Sequence, residues 1–420
     1  MPMKQFVPQT RDTRIDVFRA LALLTIFINH VPGTIYGWIT HKNLGFSDST
    51  EAFVLISGIA VGLAYGTKFS GENRLFVALK LWRRSATLYS THILTTLISL
   101  AIFISAAIFF SHPELLRVNN IPTLLKEPAQ ALLGIVTLGH QLGYNNILSL
   151  YMVLMLFAPF MLYLAHKSMK LLVLLSIGLY LIAGFYGLAP HNYPTKGLWF
   201  LNPLSWQLVF VIGLVSIIKI KKDGRLFYHP LLLISAITYL ILSLLWVRLS
   251  WWWINPTMGM PSTLTGFNKT FVSIPRLLHI LSLAYVVVMI PQINRLAALS
   301  PLNPLAILGK HGLAVFVTGT ILAMGGQVLK TVHPSGFYYD TLLIATGLVI
   351  QFAVAYYLEW VKIATLQMKA KLPLPKDKVT EKSLIQTAQQ DHLILEPKMR
   401  ITHHTYVDPK KNTDNSLQDA

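Results

Sequence analysis

The chain has no cysteine. A thiol nucleophile, a disulfide framework and thiolate metal sites are therefore excluded. Charge is scarce: Asp, Glu, Lys and Arg make up 12% of the 420 residues, against about 25% in an ordinary soluble domain. Acids are scarcer still, 17 against 35 Lys and Arg. The sequence has no H-E-x-x-H, no G-x4-G-K-[ST], no glycine-rich dinucleotide turn and no G-x-S-x-G elbow. No metal site and no tightly bound cofactor are expected. An H-x4-D spacing, His403 to Asp408, falls in a polar tail and reads as chance.

Apolar residues fill the space that charge leaves. They make up 54% of the chain, and mean hydropathy is +0.54. The solvent implied is a lipid bilayer. The formal net charge of +18 would suggest nucleic acid in a soluble protein. Here it suits cytoplasmic loops rich in Lys and Arg. No basic stripe with interleaved aromatics stands outside those loops, so no nucleic-acid partner is expected.

Runs of roughly 17–25 apolar residues mark spanning helices. They fall near 15–36, 51–67, 85–111, 146–166, 170–188, 204–220, 230–249, 276–293, 305–330 and 340–362. The first is not a cleaved signal: Asp16 and Arg19 sit inside its start and no A-x-A-like site follows. Basic residues gather in alternate loops. Lys4, Arg11 and Arg14 precede span one. Lys68, Arg74, Lys80, Arg83 and Arg84 follow span two, Lys167 and Lys170 span four, and Lys219, Lys221, Lys222 and Arg225 span six. The other loops hold fewer, such as Lys42, Lys196 and Lys269. The expected fold is an all-α integral membrane bundle of about ten helices, with both termini cytoplasmic. Residues 1–365 form the membrane domain. Residues 366–420 form a polar tail, without apolar periodicity and expected to be mostly disordered. The apolar but short stretch Pro128–Tyr144 suits an interfacial or re-entrant helix. Trp251, Trp252 and Trp253 suit an interfacial aromatic belt better than a sugar-stacking platform.

The first span reads RIDVFRALALLTIFINHVPG. Ionisable groups in such a helix face the protein interior or a wet cavity. Arg19 and His30 are eleven residues apart, so they share one face, separated by about 16 Å of helix. Asp16 lies three residues before Arg19 and can pair with it. Taken singly, Arg19 reads better as a snorkelling boundary residue and His30 as an interfacial cap. Together on one face, with Asn29 adjacent, they favour function. The second span opens GFSDSTEAFVLISGIAVGLAYG. Its Asp48 and Glu51 are level with His30 and able to orient it, but they also suit a helix cap and acidic first turn. Ser57, Gly58 and Gly62 read as a close-packing surface before a nucleophile. His92, His279, Lys310 and His311 are secondary candidates. A buried histidine that only satisfies a hydrogen bond is the commoner case.

The Arg19-x10-His30 pair resembles that of the acyltransferase-3 superfamily. The closest resemblance is to its osmoregulated periplasmic glucan succinyltransferase (OpgC-type) family. It is carried by the two stretches quoted above and by LKLWRRSATLY. NNILSLYMVLMLFAP, RLLHILSLAYV and LGKHGLAVFVTG add weaker support. The resemblance covers about residues 11–362. Ala20, Gly312 and Asn146 depart from it, where glycine, serine and an acid are expected. It implies a multi-pass protein of the bacterial inner membrane. That protein would move an acyl group, often succinyl, from cytoplasmic acyl-CoA to a periplasmic glycan hydroxyl, with acyl-CoA as co-substrate. Such chemistry suits a histidine base oriented by a carboxylate. His30, Arg19, Asp48 and Glu51 are then the candidate catalytic group. Asp16, Asn29, His279 and His311 are candidate substrate contacts. Arg83 and Arg84, with Lys80, suit the coenzyme's phosphates as well as they suit topology. The rival class is a transporter or flippase for a glycan or small anionic solute, which a few intramembrane charges fit equally.

Overall fold

A computed structural model describes residues 12–224, 227–255, 257, 259–333 and 336–371. The described residues are almost wholly helical. No strand forms among them beyond a single antiparallel bridge between His191 and Leu198.

The first three helices are α1 (Thr13–His30), α2 (Ser49–Tyr65) and α3 (Asn73–Phe109). Short helices α4 (Ile121–Lys126) and α5 (Pro128–Val136) follow. Long ones return with α6 (Asn146–Lys167), α7 (Met169–Tyr186), α8 (Pro203–Asp223) and α9 (Pro230–Arg248). The remainder are α10 (Ser262–Thr265), α11 (Ile274–Met289), α12 (Pro291–Ala297), α13 (Pro304–Lys310), α14 (Gly312–Val332) and α15 (Phe337–Lys371). Proline in the first turn opens α4, α5, α8, α9, α11, α12 and α13. That position needs no intrahelical N–H.

Among the described residues, seven helices are long and apolar enough to cross a membrane: α3, α6, α7, α8, α9, α14 and α15. The count is eight if α11 and α12 are one span bent by 85°. Apolar α2 has 17 residues. Helix α1 carries Arg14, Asp16 and Arg19 in its first half. Length and composition thus support seven or eight spans among the described residues, short of the ten expected.

Two expected spans are not continuous. The stretch 276–293 breaks at Ile290, because Pro291 has no N–H for the ladder and opens a new helix. The stretch 305–330 breaks at His311 between α13 and α14. Here the chain lies hard against α1: a Cβ on Gly309 would sit 1.8 Å from the Asp16 carbonyl oxygen. The short helix expected within 128–144 is α5, which ends at Val136.

Lipid tails give packed helices little hydrophobic reason to associate, so close backbone contact matters. Helices α2 and α8 achieve it. A Cβ on Gly58 would meet the Phe210 carbonyl oxygen at 2.0 Å, and one on Gly213 the Leu55 carbonyl oxygen at 2.3 Å. Gly62 faces Ile217 and Leu214 in the same way. The Ser57 hydroxyl is spent on the Phe53 carbonyl at 2.7 Å. Helix α1 packs against α2, α13 and α14, and its inner face joins Leu23 and Ile26 to a core with Val54, Leu148, Phe210 and Phe316. By contrast only 11% of the apolar window of α9 is buried, which makes it a lipid-facing helix.

By internal contacts the chain divides into residues 1–360 and 361–420. Of the second unit, residues 361–371 are described, all helical. The rest of the polar tail, with His403 and Asp408, lies outside the described residues. So do Lys4, Arg11 and Arg225.

Candidate active site

The two ends of α1 open into different cavities. The cavity at the Arg19 end encloses about 430 Å³. Its polar walls carry Arg19, Arg84, Lys310, His311 and Ser57, and Phe53, Tyr151 and Phe316 are among its apolar ones. Arg19 donates to Asp16 at 2.9 Å and to the Gly309 carbonyl at 3.1 Å, so the expected pair forms. Its aliphatic stem lies on Gly312, where a Cβ would come within 2.8 Å of Cδ. The departure at Gly312 therefore makes room for Arg19. Glu359 of α15 bridges the helix break: Oε1 accepts from Lys310 at 2.5 Å and Oε2 pairs with His311 Nε2 at 2.9 Å. Arg84 is half-buried and lines this cavity; Arg83 and Lys80 are exposed and do not. Lys80 instead sits 4.1 Å from the centroid of the Phe76 ring. Three cationic side chains thus line the cavity, two of them paired with carboxylates: Arg19 with Asp16 and Lys310 with Glu359.

At the other end lies a smaller pocket of about 170 Å³. His30, Asn29, Asp48, Lys42, Lys269 and Asn146 line it, with Tyr144 and Phe200. His30 stacks on Tyr144, centroids 3.7 Å apart and planes within 7°. Its backbone carbonyl accepts from Gln327 of α14 at 3.0 Å, which pins the end of α1. Its Nδ1 is buried and has no hydrogen-bond partner among the described residues. A buried polar atom left unpaired costs about 1–3 kcal/mol. Asn29 accepts from the Thr40 hydroxyl at 2.6 Å.

Asp48 and Glu51 form the capping box of α2. Asp48 accepts from Thr50 N at 2.7 Å, and Glu51 accepts from Asp48 N at 3.0 Å. Their charges are met from α11 and the loop before it. Lys269 reaches Asp48 at 2.5 Å and Arg276 reaches Glu51 through Nε at 2.7 Å. Burial by itself would raise the Asp48 carboxyl. Lys269 and Arg276 outweigh it and hold the group well below the usual carboxylate range. Neither carboxylate hydrogen-bonds His30 in the structure. Asp48 shares its pocket; Glu51 is fully buried and faces Arg276. His279 lies outside both cavities. Its Nδ1 meets the Ser47 hydroxyl at 2.7 Å and accepts from Ser47 N at 3.3 Å, which leaves the proton to Nε2, packed on Gly45. Its near neighbour His41, in the loop before α2, is pushed down by burial.

Ile147, in the first turn of α6, lines both cavities. That one aliphatic side chain forms part of the wall of each cavity. Sequence reasoning passed over Ile147, Tyr144, Arg276 and Glu359. Lys269 carried a usable signal: it is a cation in a loop expected to be poor in them, and such a charge needs a partner.

This arrangement defines a helical membrane protein with two polar cavities set end to end along its first helix. The family model for the OpgC protein matches residues 11–363, and the chain belongs to that family. No curated protein and no solved structure matches it.

Proposed function

We propose that the protein is an O-acyltransferase of the bacterial inner membrane. It moves an acyl group, succinyl in the leading case, from cytoplasmic acyl-CoA to a hydroxyl of a periplasmic glucan. The observation that carries this reading is the pair of cavities that share Ile147 in their walls, one lined by cationic side chains and one by His30. Family membership and the basic residues gathered at alternate ends of the expected spans support it. With both termini cytoplasmic, the Arg19 cavity faces the donor and the His30 pocket faces the acceptor.

Arg19, Arg84 and Lys310 attract the anionic coenzyme. Its flexible arm delivers the thioester past Ile147. A sugar hydroxyl is a weak nucleophile at neutral pH and needs a base to take its proton as it attacks. His30 takes that proton while the hydroxyl oxygen attacks the thioester carbonyl. The C–O ester bond forms, the C–S bond breaks, and the proton passes from His30 to the departing thiolate. Tyr144 and Gln327 hold His30 in place; Asp48, committed to Lys269, acts on it through the field of the pocket.

The test uses purified full-length protein with succinyl-CoA and a glucan acceptor, with free thiol and acceptor mass measured together. Thiol release matched by acylated glucan is the expected result. Solute movement across proteoliposomes without acyl turnover overturns it in favour of the transporter class. The two broken spans both lie in the second half of the chain, whereas inverted-repeat transporters interrupt corresponding helices in both halves.

A further inference from the structure

Next to the His30 pocket is a second cleft, of about 290 Å³, with which it shares Tyr144, Asn146 and Phe200. No charged side chain lines it. Its other polar walls are Asn120, Gln141, Asn192 and Thr195. The contrast with the cationic Arg19 cavity is chemical. This cleft offers neutral amides, one hydroxyl and aromatic rings.

Two loops build it. Residues 191–198 form a small hairpin, closed by the His191–Leu198 bridge and by Asn192 N donating to the Gly197 carbonyl at 2.9 Å. The hairpin seats on the segment after α5, where Tyr193 N donates to the Gly139 carbonyl at 3.0 Å. Glycine is required beneath it, since a Cβ on Gly134 would meet the Tyr193 carbonyl oxygen at 2.1 Å. Asn120 Nδ2 donates to the Gln141 carbonyl at 3.0 Å and ties the far wall.

Much of the hydrogen-bonding capacity of these walls is unused. Asn192 spends Nδ2 on the Leu198 carbonyl, and Gln141 spends Nε2 on the Leu138 carbonyl. Among the described residues, the amide oxygens of both, the Thr195 hydroxyl and the Asn146 amide have no protein partner. Half-exposed Phe200 adds an apolar ring. Neutral donors and acceptors beside aromatic faces match the hydroxyls and C–H faces of a sugar ring. They carry no charge with which to attract an anion.

We infer that this cleft is an anchoring subsite for a neutral sugar unit that flanks the one being acylated. The inference rests on the acyl-transfer reading for the position of the reacting unit, but not for binding itself. The chain enters through the amide-lined cleft, and the neighbouring unit reaches His30 across Tyr144 and Asn146. The enzyme thereby selects a polymer over a single sugar.

The experiment is calorimetric titration of full-length protein in detergent. The probes are three neutral glucose hexamers of different linkage (laminarihexaose, cellohexaose and maltohexaose), glucose, and the anionic hexamer of galacturonic acid. At least one neutral hexamer binds, and glucose and the anionic hexamer bind at least tenfold more weakly. Thr195→Val, which removes a hydroxyl the fold does not use, weakens the hexamer by about 2- to 12-fold, the value of one hydrogen bond. Thr195→Trp, which fills the cleft, abolishes binding. Failure of all three neutral hexamers to bind, equal binding of the anionic hexamer, or wild-type affinity in Thr195→Trp overturns the assignment. Hexamer binding without acyl turnover leaves the subsite standing and removes the acyl-transfer reading alone.

Discussion

The enzyme reading depends most on His30, and its replacement by alanine separates chemistry from folding. The structure keeps the cost to stability small. The ring gives up its stack on Tyr144, worth about 0.5–1.5 kcal/mol beyond buried area. The Gln327 bond goes to the backbone carbonyl of His30 and survives the change. Nδ1 has no protein partner among the described residues, so no donor or acceptor is orphaned. Alanine is also the best helix former at the end of α1. The catalytic cost is larger. Loss of a general base lowers the rate by about 10²–10⁴-fold, or roughly 3–5 kcal/mol of barrier. His30→Ala should therefore shift the detergent melting curve by only a few degrees while succinyl transfer falls at least a hundredfold. The pH profile adds a check. A base must be deprotonated to act, so wild-type kcat/KM should fall as pH drops through the histidine's kinetic pKa, and residual activity of the variant should lack that limb. A well-folded His30→Ala protein that transfers within tenfold of wild type refutes the mechanism.

Further outcomes follow from the two cavities and their supports. Ile147→Trp should plug the junction, so that acyl transfer is lost while equilibrium binding of acyl-CoA stays within about threefold; weakened donor binding would place Ile147 within the donor site instead. Arg19→Gln or Arg84→Gln should weaken acyl-CoA binding, less so at high salt, whereas exposed Arg83→Gln should leave it within about twofold; an Arg83 effect equal to that of Arg84 argues against the cavity. Arg276→Met leaves fully buried Glu51 without its cation and should cost about 3–5 kcal/mol in detergent unfolding, most of it recovered by adding Glu51→Gln. If the single variant melts like wild type, the pair is not structural. Reporter fusions after Lys80, Lys167 and Lys221 should read cytoplasm and those after Lys42 and Lys196 periplasm; a periplasmic reading after Lys221 breaks the proposed topology.

Composition and apolar run length were enough to define a helical membrane protein, because the bilayer restricts a spanning chain to helices or closed barrels. Helical period placed Arg19 and His30 on one face of α1, because both lie within one continuous helix. The Arg19–Asp16 pair was legible for the same reason, since its partners are three residues apart. What lies opposite those residues was not legible. Asp48 and Glu51 look able to orient His30 from their sequence position, yet Lys269 and Arg276 claim them across more than 200 residues of chain. The break at His311 depends on how closely α13 approaches α1, a distance that no local propensity encodes. The separation of Arg84 from Arg83 depends on which side of α3 faces the bundle. Local periodicity determined the class of the protein and one face of its first helix. Long-range packing decided which charges meet, where the cavities open and that Ile147 lines both, because those contacts join residues far apart in the chain.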